Sequence, residues 1–262
     1  MYALFALQTM AFYDNNKEER AAIVDRMDGE IAGDILQGTD QFVPLYFSDE
    51  DTYIRKTAYL AVGKLYKVVP ADLPAILKML NHHFVSAEPK VRQTVVNAAG
   101  EIGKYDFDAV QQFFDTGLFD EHHSVRNAVI GSMKKMGEKN PLPVLEWSRK
   151  YLHHPDKEIR REICHGIELR GRTHPQDILP LLRELQFDKT RRVRWTLVHV
   201  IGQIAYKKGC LETVMKDILS WENQELVKEA IDEIIDVHHR YRNFSFYTQD
   251  RAKEIIAGFI NK

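Results

Sequence analysis

The chain has 262 residues, 44% hydrophobic and 28% charged, the make-up of a folded globular protein rather than a disordered one. A net charge of −2 excludes wholesale adhesion to nucleic acid or to an anionic membrane. Cys164 and Cys210 are too few for a disulfide framework or a cysteine-based zinc site, so reduced thiols in a cytoplasmic protein are expected.

The first residues, Met1 to Leu7, are apolar but follow no basic segment, and Gln8 and Thr9 interrupt the run. That fits neither a signal peptide nor a membrane span; it predicts a helix packed on the body of the protein. Residues 1–45 are expected to hold two or three cap helices, including an amphipathic stretch from Glu18 to Ile35.

From there the chain repeats. An aliphatic residue precedes a basic one at Ile54-Arg55, Val91-Arg92, Val125-Arg126, Ile159-Arg160, Val193-Arg194 and Val227-Lys228. The first step is 37 residues and the next four are 34 each, a register that chance does not produce. Three and seven positions after the basic residue stand further apolar residues, such as Leu197 and Ile201 in the fifth unit. With the aliphatic residue before the Arg they form the i, i+4, i+8 stripe of a buried helix face.

An acidic residue six places before the basic one (Asp49, Asp120, Asp188, Glu222) is expected to cap the oncoming helix or to pair with an Arg of the array, Arg194 with Asp188 in the fifth unit. Gly103, Gly137 and Gly171 share one register where they would end the second helix. Shorter segments beginning at Pro141 and Pro175 suit the first turn of an intervening helix. Each unit is thus helix, turn, helix, loop, and nothing reads as a strand. Residues 46–240 hold about six such pairs, and residues 241–262 form a C-terminal cap with a closing helix from Gln249 to Ile260.

These residues resemble the HEAT-like repeat family: the Asp-x5-Arg spacing, the Val-Arg pair and the small-residue-rich second helix from Val91 to Gly103. A period of 34 also suits tetratricopeptide repeats, but their Trp-Leu-Gly-Tyr signature is missing in any consistent register. The resemblance implies an all-α, right-handed superhelix of helix pairs, a solenoid forming a single domain over residues 1–262.

In such an array the core-averted positions of the second helices form one groove, commonly concave. Positions +1, +5 and +12 from the basic residue bring Arg161, His165, Arg172, Trp195, His199 and Tyr206 to one patch. Trp195 would serve as a platform for something planar or anionic, with the Arg residues as charge partners, or it packs on a neighbouring helix. From Arg149 to Cys210, fourteen Lys and Arg face seven Asp and Glu, a local basic stripe that either tracks phosphates or pairs within the repeat ladder.

Four His-His pairs (His82-His83, His122-His123, His153-His154, His238-His239) invite a metal reading, but adjacent helical residues diverge by about 100°. No metal and no cofactor are therefore expected. His165 and His199 are better placed but lack a third ligand. Glu168, one turn beyond His165, is the one candidate general base.

Residues 140–210, and especially Asp177 to Leu185 with Val193-Arg194-Trp195, are similar to the repeats of HEAT-like DNA alkylation-repair glycosylases. That resemblance implies duplex-DNA binding and aromatic and acidic residues that assist loss of an alkylated base. Gly202 and Gln203 stand where one branch carries an Asn-Asp pair. The sequence therefore predicts a non-catalytic, monomeric scaffold binding a protein or duplex-DNA partner, without membrane association, chiefly through Arg161, Trp195 and Arg172. The alternative is a glycosylase-type protein, active or catalytically reduced.

Overall fold

Helix signals follow one another along the chain, and the computed structural model, which describes residues 11–261, realises them. The expected helix over Met1 to Leu7 lies outside the described residues. Two 3-10 turns, Phe12–Asp14 and Pro70–Asp72, accompany fifteen α-helices, and no strand is present among the described residues. By its internal contacts the chain divides into two units, residues 11–132 and 133–261.

The first unit contains α1 (Lys17–Gln37), α2 (Val43–Ser48), α3 (Thr52–Val68), α4 (Leu73–Phe84), α5 (Pro89–Gly103) and α6 (Gln111–Gly117), and most of α7 (His123–Lys139). The second contains α8 (Pro141–Tyr151), α9 (Lys157–Gly166), α10 (Glu168–Gly171), α11 (Pro175–Glu184), α12 (Arg191–Ala205), α13 (Leu211–Ile218), α14 (Gln224–Arg240) and α15 (Gln249–Ile260). Helices one repeat apart lie side by side: α1, α3 and α5 in the first unit, and α9, α12 and α14 in the second. This is the expected all-α architecture of helix pairs.

The apolar stripe lies where its spacing puts it. Ile54, Ala58 and Val62 are buried in α3, and Val193, Leu197 and Ile201 in α12. The last repeat differs. In α14 the stripe turns by about one position, to Val227, Ala230, Ile234 and Val237, and Ile231 and Ile235 are half-buried.

The basic residue of each unit has a job its sequence neighbours do not reveal. Arg55, Arg92, Arg126 and Arg160 all donate through Nη1 to the backbone carbonyls six and five residues earlier, clasping the loop that leads into their own helix. Arg92 and Arg160 also reach forward into the next repeat, where Nε lies 2.8 Å from Asp120 and 2.6 Å from Asp188. The acidic residue is thus paired across repeats, not within one. Its second oxygen accepts the N–H two residues on, in Asp120 as in Asp188, forming a turn, while the helix cap falls to Asp51, Glu88 or Asp156.

Arg194 therefore does not pair with Asp188 as expected. It reaches Glu229 at 2.9 Å and Glu225 at 3.2 Å on α14. Gly137 does not end its helix either, since α7 runs on to Lys139, whereas α5 and α10 do stop at Gly103 and Gly171. In the fourth repeat the second helix breaks after Gly166 into α9 and α10, which nothing in the periodicity announces.

Close approach between α3 and α5 depends on Gly63. A Cβ there would meet the Glu101 Cβ at 2.5 Å, an atom fixed to the backbone. Gly63→Ala is expected to cost about 1–3 kcal/mol through overpacking, read as a lower midpoint in chemical denaturation.

Candidate binding face on the second helices

The residues singled out at +1 and +5 do assemble on the second unit, on the core-averted face of α9, α12 and α14. Trp195 is the fifth residue of α12 and is 68% exposed. Its partner one helical turn on is His199, whose ring stacks on the indole at 5.8 Å between centroids and 10° between planes. His165 of α9 follows, 6.4 Å from His199 and edge-on to it. The outcome is a row of three rings, of which the outermost is the largest and the most open.

Trp195 forms the shared rim of two clefts. One, about 520 Å³, is lined by Asp188, Lys189, Arg191, Arg194, Val198 and Glu229. The other, about 240 Å³, lies beside Val198, His199, Glu233, Asp236 and Arg240. Both combine Trp195 and Val198 with charged side chains, the mixture of apolar anchor and polar surround found at protein interfaces.

The basic residues are less available than their number suggests. Arg161 is held by Glu158 at 2.9 Å and by Glu162 at 3.4 Å. Arg192 pairs with Glu158, Arg194 with Glu225 and Glu229, and Arg240 with Glu233 and Asp236. Of the fourteen cations between Arg149 and Cys210, eight arginines pair with carboxylates among the described residues, whereas Lys189 and Arg191, which line the larger cleft, form no ion pair there.

Beneath this face lies a buried ionic cluster. Glu168, the candidate general base, opens α10 and its side chain is only 3% exposed. Arg172 lies 2.5 Å from one of its oxygens, and Lys134 and His165 lie 3.3 and 3.2 Å from the other. Burial raises its pKa, but the His165 hydrogen bond and the charges of Lys134 and Arg172 outweigh this and bring it down to about 2. So weak a base does not abstract protons near neutrality. Its geometry makes it a strut, and Arg172, also bound to Gln203 at 3.0 Å, is the other half of it.

Tyr206 requires a correction. It is 3% exposed, stacked on Tyr241 at 5.4 Å, with Arg172 and Lys207 over its ring. Buried under these groups, it supports Arg172 and cannot meet a ligand directly. The missing third group beside His165 and His199 is Glu168, and these three bring ligand atoms within 4.8 Å of one another. A divalent ion there would lie beside Lys134, 2.9 Å from His165 Nε2, and beside Arg172 on Glu168, two cations that repel it. Cys164 and Cys210 are both buried free thiols, and burial pushes both up and keeps them protonated.

Fold and face together define a helix-pair repeat protein with an aromatic row on an open helical surface. No family model and no curated protein matches the chain. Among solved structures, a computationally designed armadillo repeat protein for modular peptide recognition is 14% identical with a TM-score of 0.34, over 74% of this chain and 98% of that one. The CpcE and CpcF complex of phycocyanin lyase from Nostoc is 14% identical with a TM-score of 0.33, over 83% and 93%. At these scores neither likeness carries an argument about this chain. Among the described residues no helix is long and apolar enough to cross a membrane.

Proposed function

We propose that this protein is a non-catalytic binding scaffold and that the face of α9, α12 and α14 holds a segment of a protein partner. The observation that carries the reading is Trp195. Its counterparts at the same register are Lys56, Gln93, Asn127 and Arg161, ordinary surface residues, whereas here an indole is held out to solvent on a stacked imidazole. Large aromatics with a pre-set orientation are the residues that anchor interfaces.

The carboxylates of α14 beside it (Glu229, Glu233 and Asp236) pair with Arg194 and Arg240, and Glu233 also faces His199 at 3.5 Å. The segment that fits presents an apolar or planar side chain to Trp195 and a basic residue to α14. Arg161, His165 and His199 extend the contact along the row, while Arg172 and Tyr206 hold it from below.

Duplex DNA is the less supported occupant, because phosphate tracking needs cations that are not already paired, and Arg161, Arg192, Arg194 and Arg240 are. The glycosylase alternative would further need an acid or base that Glu168 does not provide.

Selection of random peptides on the full chain tests the reading. Binders are expected to carry the aromatic or aliphatic anchor next to Lys or Arg. Trp195→Ala should weaken them about 30-fold or more, the roughly 2 kcal/mol of an interface anchor. Leu142→Ala, which removes another exposed apolar residue of the second unit, should leave binding unchanged. Equal affinity for Trp195→Ala and the parent would end the proposal, as would selection of duplex DNA at low salt over any peptide.

A further inference from the structure

Asp40, His82 and His83 lie in the first unit, far along the sequence from the aromatic row, and the binding reading makes no use of them. The expectation that adjacent histidines diverge fails here. His82 and His83 occupy the last turn of α4, and both rings turn toward one carboxylate: His83 Nε2 lies 2.8 Å from Asp40 Oδ1 and His82 Nε2 lies 3.4 Å from Oδ2. The rings are 5.0 Å apart and nearly perpendicular, and the three ligand atoms lie within 4.8 Å of one another.

The loop that brings Asp40 there is fixed by its own chemistry. Gly38 ends α1 in the left-handed region, at φ 67°, and turns the chain back. Asp34 is buried under it and accepts from Thr39 Oγ1 at 2.6 Å and from the backbone of Phe42 and Val43 at 2.6 and 2.9 Å. Asp40 is therefore held over α4 by a pinned loop.

We infer that Asp40, His82 and His83 form a binding site for a zinc-type divalent cation. Two imidazoles and a carboxylate are the donor set such an ion takes, with bonds of about 2.0–2.2 Å that place neighbouring ligand atoms about 3.3 Å apart. The spacings in this cluster need only small side-chain adjustment to reach that. His83 is 6% exposed, and its Nε2 is sealed from solvent without a hydrogen-bond partner, because Asp40 stands at contact distance but off the line a hydrogen bond requires. A buried nitrogen of this kind needs something on its lone-pair axis.

Charge agrees. The cleft of about 440 Å³ beside the cluster is lined by Asp34 and Asp40 against Lys78, an excess of negative charge. The His165 cluster has the opposite balance. Three protein ligands facing an open cleft leave a coordination position for water or a small anionic ligand, as in open rather than closed zinc sites.

The test uses the full chain without an affinity tag, stripped with chelator and titrated with zinc chloride alone, by calorimetry and by competition with a chromophoric chelator. One tight equivalent per chain is expected, and cobalt chloride in its place should give the visible absorption of a low-symmetry nitrogen and oxygen site. Asp40→Asn and His82→Ala, both at exposed positions that leave the fold intact, should each weaken that equivalent at least about tenfold. His165→Ala should not change it. No tight equivalent, or one that Asp40→Asn and His82→Ala leave untouched, overturns the assignment.

Discussion

Arg160→Ala is expected to lower the unfolding free energy by about 3 kcal/mol. The guanidinium donates to the carbonyls of His154 and Pro155 at 2.7 and 2.9 Å, to both oxygens of Asp188 at 2.6 and 3.2 Å, and to Thr190 Oγ1 at 3.2 Å. One side chain thus closes its own loop and fastens it to the next repeat. Removing it leaves the nearly buried Asp188 with only Thr190, and a carboxylate stranded in that way is costlier than the pair it came from was stabilising.

Arg160→Lys restores the charge but not the fork, and should recover less than half of the loss. A double-mutant cycle with Asp188→Ala is expected to show coupling of about 1–3 kcal/mol in urea denaturation. Independent, additive losses would mean that the forward contact to the next repeat is ornamental.

Glu168→Gln is expected to act through pH. In the folded chain this carboxyl is brought down to about 2 from an ordinary 4.5, by His165, Lys134 and Arg172 acting against burial. A depressed folded value means that its stabilisation is fully present above about pH 4.5 and is lost as pH falls toward 2. The difference corresponds to about 3 kcal/mol at neutral pH, shared among the members of a coupled cluster. The glutamine variant should therefore be less stable at pH 7 and should show a flatter acid limb between these two values. Parallel stability curves for variant and parent would show that the cluster does not hold the second unit together.

The periodic part of the molecule was legible because periodicity is local. A residue every three or four positions on a helix must share a face, so the buried stripe and the exposed +1 position of Trp195 both followed from spacing. The closing helix Gln249–Ile260 was legible for the same reason. What spacing could not show was which side of a repeat a long side chain would choose. Asp188 lies six residues before Arg194 and 28 after Arg160, and stacking of α9 against α12 favours the distant partner.

Glu168 and Tyr206 were misplaced for a related reason. Both positions assume an unbroken second helix, yet the fourth repeat breaks after Gly166 and α12 ends at Ala205, one residue before Tyr206. The convergence of His82 and His83 depended on Asp40, some forty residues earlier, and on a loop pinned by Asp34. A sensible signal for it was the Gly38-Thr39-Asp40 turn just after an amphipathic helix, where an acidic side chain is commonly held in place.

We propose the exposed indole of α12 as the anchor of a binding face. The chain has three tryptophans, and Trp147 and Trp221 are fully buried. Fluorine NMR of protein labelled with fluorotryptophan therefore reads the claim directly, one resonance per site, during titration with a selected peptide. The Trp195 resonance should begin in the range of a solvent-exposed indole and shift on saturation, while those of Trp147 and Trp221 stay in place. A peptide that binds and leaves the Trp195 resonance where it began would show that this indole is not the anchor.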